Sequence, residues 1–181
     1  PHTSSRRQRQ MCIRDSVSPY MIKSVGAKYA LIGHSDNRSE GDTNEMLKDK
    51  VKFALKNNLK VIFCIGENKK EKKNKKTLNV LNKQLVKVLD KNFDYKSLIV
   101  AYEPIWSIGT GKILQSSELY EVIKFIKSKF KNKSPQILYG GSVNTSNINN
   151  LKNTEGLNGF LIGGASQNAK NFIDIVKKKY N

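Results

Sequence analysis

Leu98-Ile99-Val100-Ala101-Tyr102-Glu103-Pro104-Ile105-Trp106-Ser107-Ile108-Gly109-Thr110-Gly111-Lys112 sets a short apolar run directly before one carboxylate and a loop ending in two glycines. Residues 98–102 are strand formers, and they deliver Glu103 to the C-terminal end of the strand. Pro104 stops the ladder at once, because it has no N–H to donate. A lone acid at the mouth of a strand, beside a loop able to bend over it, suits proton abstraction under a lid. The plainer reading is a strand-end acid followed by a tight turn. The rest of the chain decides between them.

Outward from this stretch, short apolar runs alternate with longer amphipathic ones. Strands are expected at 29–33, 60–66, 98–102, 136–139 and 159–162. Ser18 is expected to cap a short helix with Pro19 at its first position. A helix is expected over 43–55, with Met46, Leu47, Val51 and Ala54 along one face. Another is expected over 78–89, with Leu78, Leu81, Leu85 and Val88 or Leu89 inward. A third begins at a cap on Ser116 or Ser117 and buries Leu119, Val122, Ile123 and Ile126. A short helix lies around Ile148, and a last one runs over 169–180. The dense lysines of 69–76 read as a solvated helix start or loop. Uniformly apolar strands separated by helices mean parallel pairing with both faces covered.

Two folds remain, a doubly wound sheet and a barrel. The unusual residues all follow strand C-termini: His34, Glu67, Glu103, Gly140-Gly141-Ser142 and Gly163-Gly164. Active-site loops gather on that side in both folds. A doubly wound nucleotide fold would carry its glycine fingerprint after the first strand, and none is present. Nor is Gly109-Thr110-Gly111-Lys112 a phosphate-binding P-loop, since Trp106 and Ile113 occupy positions that motif reserves for Gly and Ser or Thr. The barrel is the expectation.

Three features carry chemistry. Gly33-His34-Ser35 places an imidazole just past a buried strand. A helix N-terminus there would favour the neutral ring, which donates a hydrogen bond to a substrate oxygen. Glu103 supplies a base. Tyr139-Gly140-Gly141-Ser142 and Ile162-Gly163-Gly164 bring backbone N–H groups toward an anion, and loops after the last two barrel strands commonly bind phosphate. Together they suit proton abstraction beside a carbonyl in a small phosphorylated sugar.

The 181 residues carry a formal net charge of +18. A nucleic-acid partner is nevertheless not expected. Only five of the 33 basic residues are arginines, the residue that specific nucleic-acid surfaces recruit for its bidentate fork. A positive surface would still draw in an anionic substrate. No apolar run approaches a bilayer span. Cys12 and Cys64 form no metal or disulfide framework, and Cys64, inside Val61-Ile62-Phe63-Cys64-Ile65, reads as a buried core thiol. A reducing, cytoplasmic setting is expected.

Four of the five arginines (Arg6, Arg7, Arg9 and Arg14) fall within residues 1–16, where there is no lysine. The head is also rich in Gln and Ser. We expect it to be foreign to the body, a vector remnant or a translated assembly junction. An ordinary disordered basic tail is the alternative. Residues 17–181 form the domain.

With these motifs assembled, the chain resembles the triosephosphate isomerases over essentially all of residues 17–181. The resemblance rests on Gly33-His34-Ser35, on Ala101-Tyr102-Glu103-Pro104-Ile105-Trp106 with Gly109-Thr110-Gly111-Lys112, on Tyr139-Gly140-Gly141-Ser142 and on Gly163-Gly164. This family is itself the standard illustration of a glutamate base paired with a neutral histidine. The roles are therefore carried over from it. The resemblance implies a partial (β/α)8 TIM barrel, the last five of the eight β/α units. It implies a glycolytic and gluconeogenic isomerase that interconverts glyceraldehyde 3-phosphate and dihydroxyacetone phosphate through an enediolate. Glu103 would move the proton and His34 would polarise the carbonyl. Residues 104–112 would close as a lid, and Gly109, Ser142, Gly163 and Gly164 would bind the phosphate. No cofactor or metal is implied.

The resemblance also marks departures. No residue here matches the asparagine and catalytic lysine of the family's first strand, so these residues alone are expected to turn over little substrate. A non-catalytic chain that binds a phosphate-bearing ligand is the alternative. Gly33-His34-Ser35-Asp36-Asn37-Arg38 stands where the family usually has Gly-His-Ser-Glu-Arg-Arg, and Asp36 is one methylene short. The intact family is a homodimer, but the head occupies the place of its dimer loop, so dimerisation is not expected of this chain by itself. Two open sheet edges and a half-covered core are expected as well, with aggregation as the consequence.

Overall fold

A computed structural model describes residues 17–89, 95–130 and 134–180; the expected foreign head, residues 1–16, lies outside them. The chain runs α1 (Pro19–Ser24), β1 (Tyr29–Ile32), α2 (Ser35–Ser39), α3 (Asn44–Lys56), β2 (Lys60–Ile65), α4 (Lys69–Lys73) and α5 (Thr77–Val88). It continues through β3 (Leu98–Tyr102), α6 (Ser116–Ser128), β4 (Gln136–Tyr139), α7 (Ile148–Leu151), β5 (Gly159–Phe160) and α8 (Ala169–Tyr180). Ser18 caps α1 through the Met21 N–H, with Pro19 at the first position. The lysine-rich stretch does form a helix start, closed by a capping box between Asn68 and Glu71.

The five strands pair in parallel in the order β1-β2-β3-β4-β5. A doubly wound sheet reverses its direction of growth. This one never does, because each new strand joins the same edge, as a barrel wall requires. The fold is therefore α/β, a partial (β/α)8 barrel of five consecutive units.

Burial separates the two faces of the sheet. Ile32, Phe63, Val100 and Ile137 lie in one register row, and all are buried under the helices. Leu47, Val51 and Ala54 of α3, Leu81, Leu85 and Val88 of α5, and the four expected residues of α6 pack there. Burying each such Leu or Val contributes roughly 1.5–3 kcal/mol. The alternate row, Leu31, Ile62, Ile99 and Gln136, is not sealed, and Leu31 is 49% exposed. The covering of both faces expected from the apolar strands is thus corrected, while the half-covered core and open edges expected of five units are what the sheet shows: five strands do not curve far enough for the concave face to close on itself. A hollow of about 300 Å³ opens at the N-terminal strand ends, between Tyr29, Lys60, Ser97 and Gln136.

Four smaller expectations also change. Met46 and Leu78 are 39% and 42% exposed, because they sit at the margins of the apolar stripes of α3 and α5. Helix α6 is entered from Gln115 with no side-chain cap; Ser116 Oγ instead bonds the Asn150 carbonyl across to α7. β5 is two residues long, Gly159–Phe160, at the edge of the sheet beside β4, although the Leu161 N–H still reaches Tyr139 O at 2.9 Å.

Candidate active site

Glu103 follows β3 directly, and its backbone N–H extends the ladder to Ile65 O at 2.7 Å. The side chain is buried, 5% exposed, among Cys64, Gly140 and His34. Burial pushes the carboxyl above its usual range; the His34 ring and a hydrogen bond with the Cys64 thiol draw it partly back, and Asp36 pushes it further up. Such a carboxylate holds a proton more tightly than one in water, which favours taking a proton from carbon.

His34 is the N-cap of α2. Its Nδ1 accepts from the Asp36 N–H at 3.3 Å. A ring that accepts at Nδ1 carries its hydrogen on Nε2, and Nε2 faces Glu103 Oε1 at 3.8 Å. Asp36 Oδ2 also lies 3.4 Å from Nδ1, but that carboxylate is 83% exposed and solvated, so the backbone amide sets the tautomer. Arg38 fixes the turn beneath. Its Nε donates to Gly33 O at 2.7 Å, Nη1 to Asn44 Oδ1 and Nη2 to Cys64 O, both at 3.1 Å. Gly33 has φ +81°, where only glycine is unstrained.

The loop of residues 104–112 is tied down at both ends. At the start, Trp106 Nε1 donates to Glu67 Oε1 at 2.8 Å and the Tyr102 hydroxyl donates to Glu67 Oε2 at 3.1 Å. Glu67 has no exposed surface; burial pushes its carboxyl up, and the bonds from Trp106 and Tyr102 oppose that. Lys72 Nζ stands 5.7 Å over the Trp106 ring. Farther on, two serines clasp each other. Ser142 Oγ donates to Ser107 O at 2.5 Å, and the Ser142 N–H donates to Ser107 Oγ at 3.2 Å. The Gly111 N–H reaches Ser142 Oγ at 3.1 Å, and the Leu114 N–H reaches the Tyr139 hydroxyl at 3.5 Å. The loop is thereby drawn onto the segment that follows β4.

The structure brings His34 and Glu103 together directly. Ser142 meets the lid, and its N–H is engaged by Ser107. Gly109 sits exposed in the loop of residues 104–112 with φ +68°. Gly163 and Gly164 are exposed at the entrance of the turn Gly164–Gln167, and Gly163 O accepts locally from Ser166. Reading the sequence alone gave no role to Glu67, Arg38, Ser107 or Tyr139, and took Cys64 for core packing. Glu67 was visible as an acid after an apolar run. The others become legible only when strands distant in sequence are neighbours. Among the described residues, no group of three or more His, Cys, Asp or Glu side chains could hold a metal ion, and no helix is long and apolar enough to cross a membrane.

Known proteins carry the same pattern. The triosephosphate isomerase family profile matches residues 15–179. A triosephosphate isomerase of Yarrowia lipolytica is 40% identical over 170 residues, covering 90% of this chain and 68% of that protein. One of Mycoplasmopsis pulmonis is 41% identical over 161 residues, covering 88% of this chain and 64% of that protein. The crystal structure of triosephosphate isomerase from Bartonella henselae superposes with a TM-score of 0.84 at 34% identity, covering 93% of this chain and 71% of that one. The chain thus spans about two thirds of the length of these relatives. A match through nearly every described element, with an acid and an imidazole converging at the strand ends, establishes that the chain belongs to the triosephosphate isomerase family.

Proposed function

We propose that this chain supplies the base, the electrophile and the lid of a triosephosphate isomerase, which interconverts glyceraldehyde 3-phosphate and dihydroxyacetone phosphate. The 3.8 Å approach of His34 Nε2 to Glu103 Oε1 is the observation that carries the reading. A carboxylate and an N–H donor aimed at one point can serve the carbon and the oxygen of one carbonyl compound. Glu103 takes a proton from the carbon beside the carbonyl while His34 Nε2–H stabilises the developing oxyanion. The hydroxyl proton of the enediolate passes to the former carbonyl oxygen, which His34 faces, and Glu103 returns its proton to the neighbouring carbon, with no net change in atoms or electrons. Residues 104–112 keep water out while the intermediate exists. The N–H groups of Gly109, Ser142, Gly163 and Gly164 take the phosphate, and at Ser142 the anion displaces the Ser107 hydroxyl. The reaction is a step of glycolysis and gluconeogenesis in the cytoplasm, and the whole protein works as a homodimer.

A second reading is binding without turnover. It needs only the exposed backbone of Gly163 and Gly164 and no proton transfer by Glu103. The purified chain decides, with emission of its single tryptophan, Trp106, reporting lid contact. We expect 2-phosphoglycolate, a carboxylate analogue of the enediolate, to change that emission saturably, and turnover of dihydroxyacetone phosphate to be near background. Substantial turnover abolished by Glu103→Gln would remove the second reading. No saturable binding would remove both.

A further inference from the structure

We propose that Gln84 is a positioning residue for the acid and its lid, an inference that rests on the roles just given to Glu103 and residues 104–112. Successive residues of a strand turn their peptide groups to opposite neighbours. At the end of β2, Ile65 and Glu67 turn theirs to β3: Ile65 O accepts from the Glu103 N–H at 2.7 Å, and Glu67 O from the Ile105 N–H at 3.0 Å. Cys64 and Gly66 therefore face the side of β1. There the pairing has already ended, at Ile32 opposite Phe63. Two side chains complete the missing rungs. Arg38 Nη2 donates to Cys64 O at 3.1 Å. The Gln84 carboxamide serves Gly66 twice, Oε1 accepting from its N–H at 2.9 Å and Nε2 donating to its carbonyl at 3.0 Å. A carboxamide offers the same donor and acceptor as a peptide group, so Gln84 acts as one further residue of strand.

Gly66 is where that support reaches the chemistry. A Cβ built on it would lie 1.8 Å from Glu103 O and 2.6 Å from Glu103 C, so the two backbones are already in close contact. The next residue, Glu67, anchors Trp106 and Tyr102 at the start of the lid. Gln84 reaches this point from α5, whose Leu81 and Leu85 are buried in the core. Its amide thus fixes, through one peptide, the backbone of the base on one side and the root of the lid on the other.

The test uses the 181-residue chain and two readouts that need no turnover: the carbon-13 NMR titration of the Glu103 carboxyl, assigned with Glu103→Gln, and the emission of Trp106. Gln84→Met keeps the length of the side chain and removes both hydrogen bonds. Leu85→Val loosens the same helix and leaves the amide in place. Gln84→Met is expected to lower the Glu103 midpoint toward the ordinary carboxylate range and to shift Trp106 emission to the red, as both groups gain water. Leu85→Val is expected to lower the melting temperature and move neither. If Gln84→Met does not fold, Gln84→Asn, too short to span both groups of Gly66, is held to the same outcomes. Unchanged readouts in the Gln84 variant, or equal changes in Leu85→Val, would overturn the proposal. A chain that binds no 2-phosphoglycolate would overturn the functional reading instead and leave both measurements interpretable.

Discussion

The glycine pairs after β4 and β5 look alike in sequence and differ in space. A Cβ on Gly140 would lie 2.5 Å from Glu103 Cγ and 2.9 Å from Oε1, and one on Gly141 would lie 2.2 Å from the Tyr139 hydroxyl and 2.6 Å from Ser107 Oγ. At Gly163 and Gly164 nothing stands within 4 Å. None of the four has a positive φ, so backbone freedom is not the distinction. The first pair is small because Glu103, Tyr139 and Ser107 fill the space that side chains would take. The second pair leaves its backbone bare to solvent, which is what an incoming anion needs. A repeated motif in adjacent loops therefore serves packing in one and access in the other.

The sharpest way to break this comparison is Gly140→Ala. Its methyl must push Glu103 aside, at a cost of roughly 1–3 kcal/mol for overpacking. Chemical denaturation should show that loss, and the Glu103 titration should move with it. Gly141→Ala is expected to cost a similar amount, since its Cβ meets the hydroxyl end of the buried, rigid Tyr139 ring. It should release the Ser107–Ser142 clasp, seen as faster amide exchange at Gly111 and Leu114. If either substitution were neutral, the packed reading of the first pair would be wrong.

Charge tests the same floor. Because burial raises the Glu103 carboxyl, the folded chain binds its proton more tightly than the unfolded chain does. Stability from this group is then fully present below the ordinary carboxylate range and is lost as pH rises from that range through the raised folded value. Glu103→Gln removes this charge, so its melting temperature should exceed that of the parent at pH 8 and fall less between pH 4 and 8. A parallel fall in both chains would deny the buried charge its cost. The smallest effect on folding is expected at the open pair. Gly163→Ala and Gly164→Ala should stay within about 0.5 kcal/mol of the parent, as exposed substitutions do, while 2-phosphoglycolate binds about tenfold more weakly because the added methyl keeps the anion from one backbone N–H. Loss of folding without loss of binding would invert the comparison.

How much of this was legible beforehand follows from what each feature depends on. Residues 98–104 announce a strand, its end and an acid there, because strand propensity and the missing N–H of Pro104 act locally. The inward residues of α3, α5 and α6 follow from a period of 3.6, and errors fall at stripe margins such as Met46 and Leu78. The cap expected on Ser116 or Ser117 failed because Ser116 finds a partner on α7, outside the reach of local pattern.

The sequence by itself determined the alternation of elements and placed Glu103 and His34 just past the C-terminal ends of two strands, on the same rim. These depend on residue type and on neighbours a few positions away. Tertiary structure alone decided that Gln84 completes the edge of β2, that Ser107 and Ser142 clasp each other, and that two similar glycine pairs differ in what surrounds them. Each of those outcomes depends on groups distant in the chain, such as Gly66 and Gln84, 18 residues apart, or Ser107 and Ser142, 35 apart, and only the folded sheet brings them close.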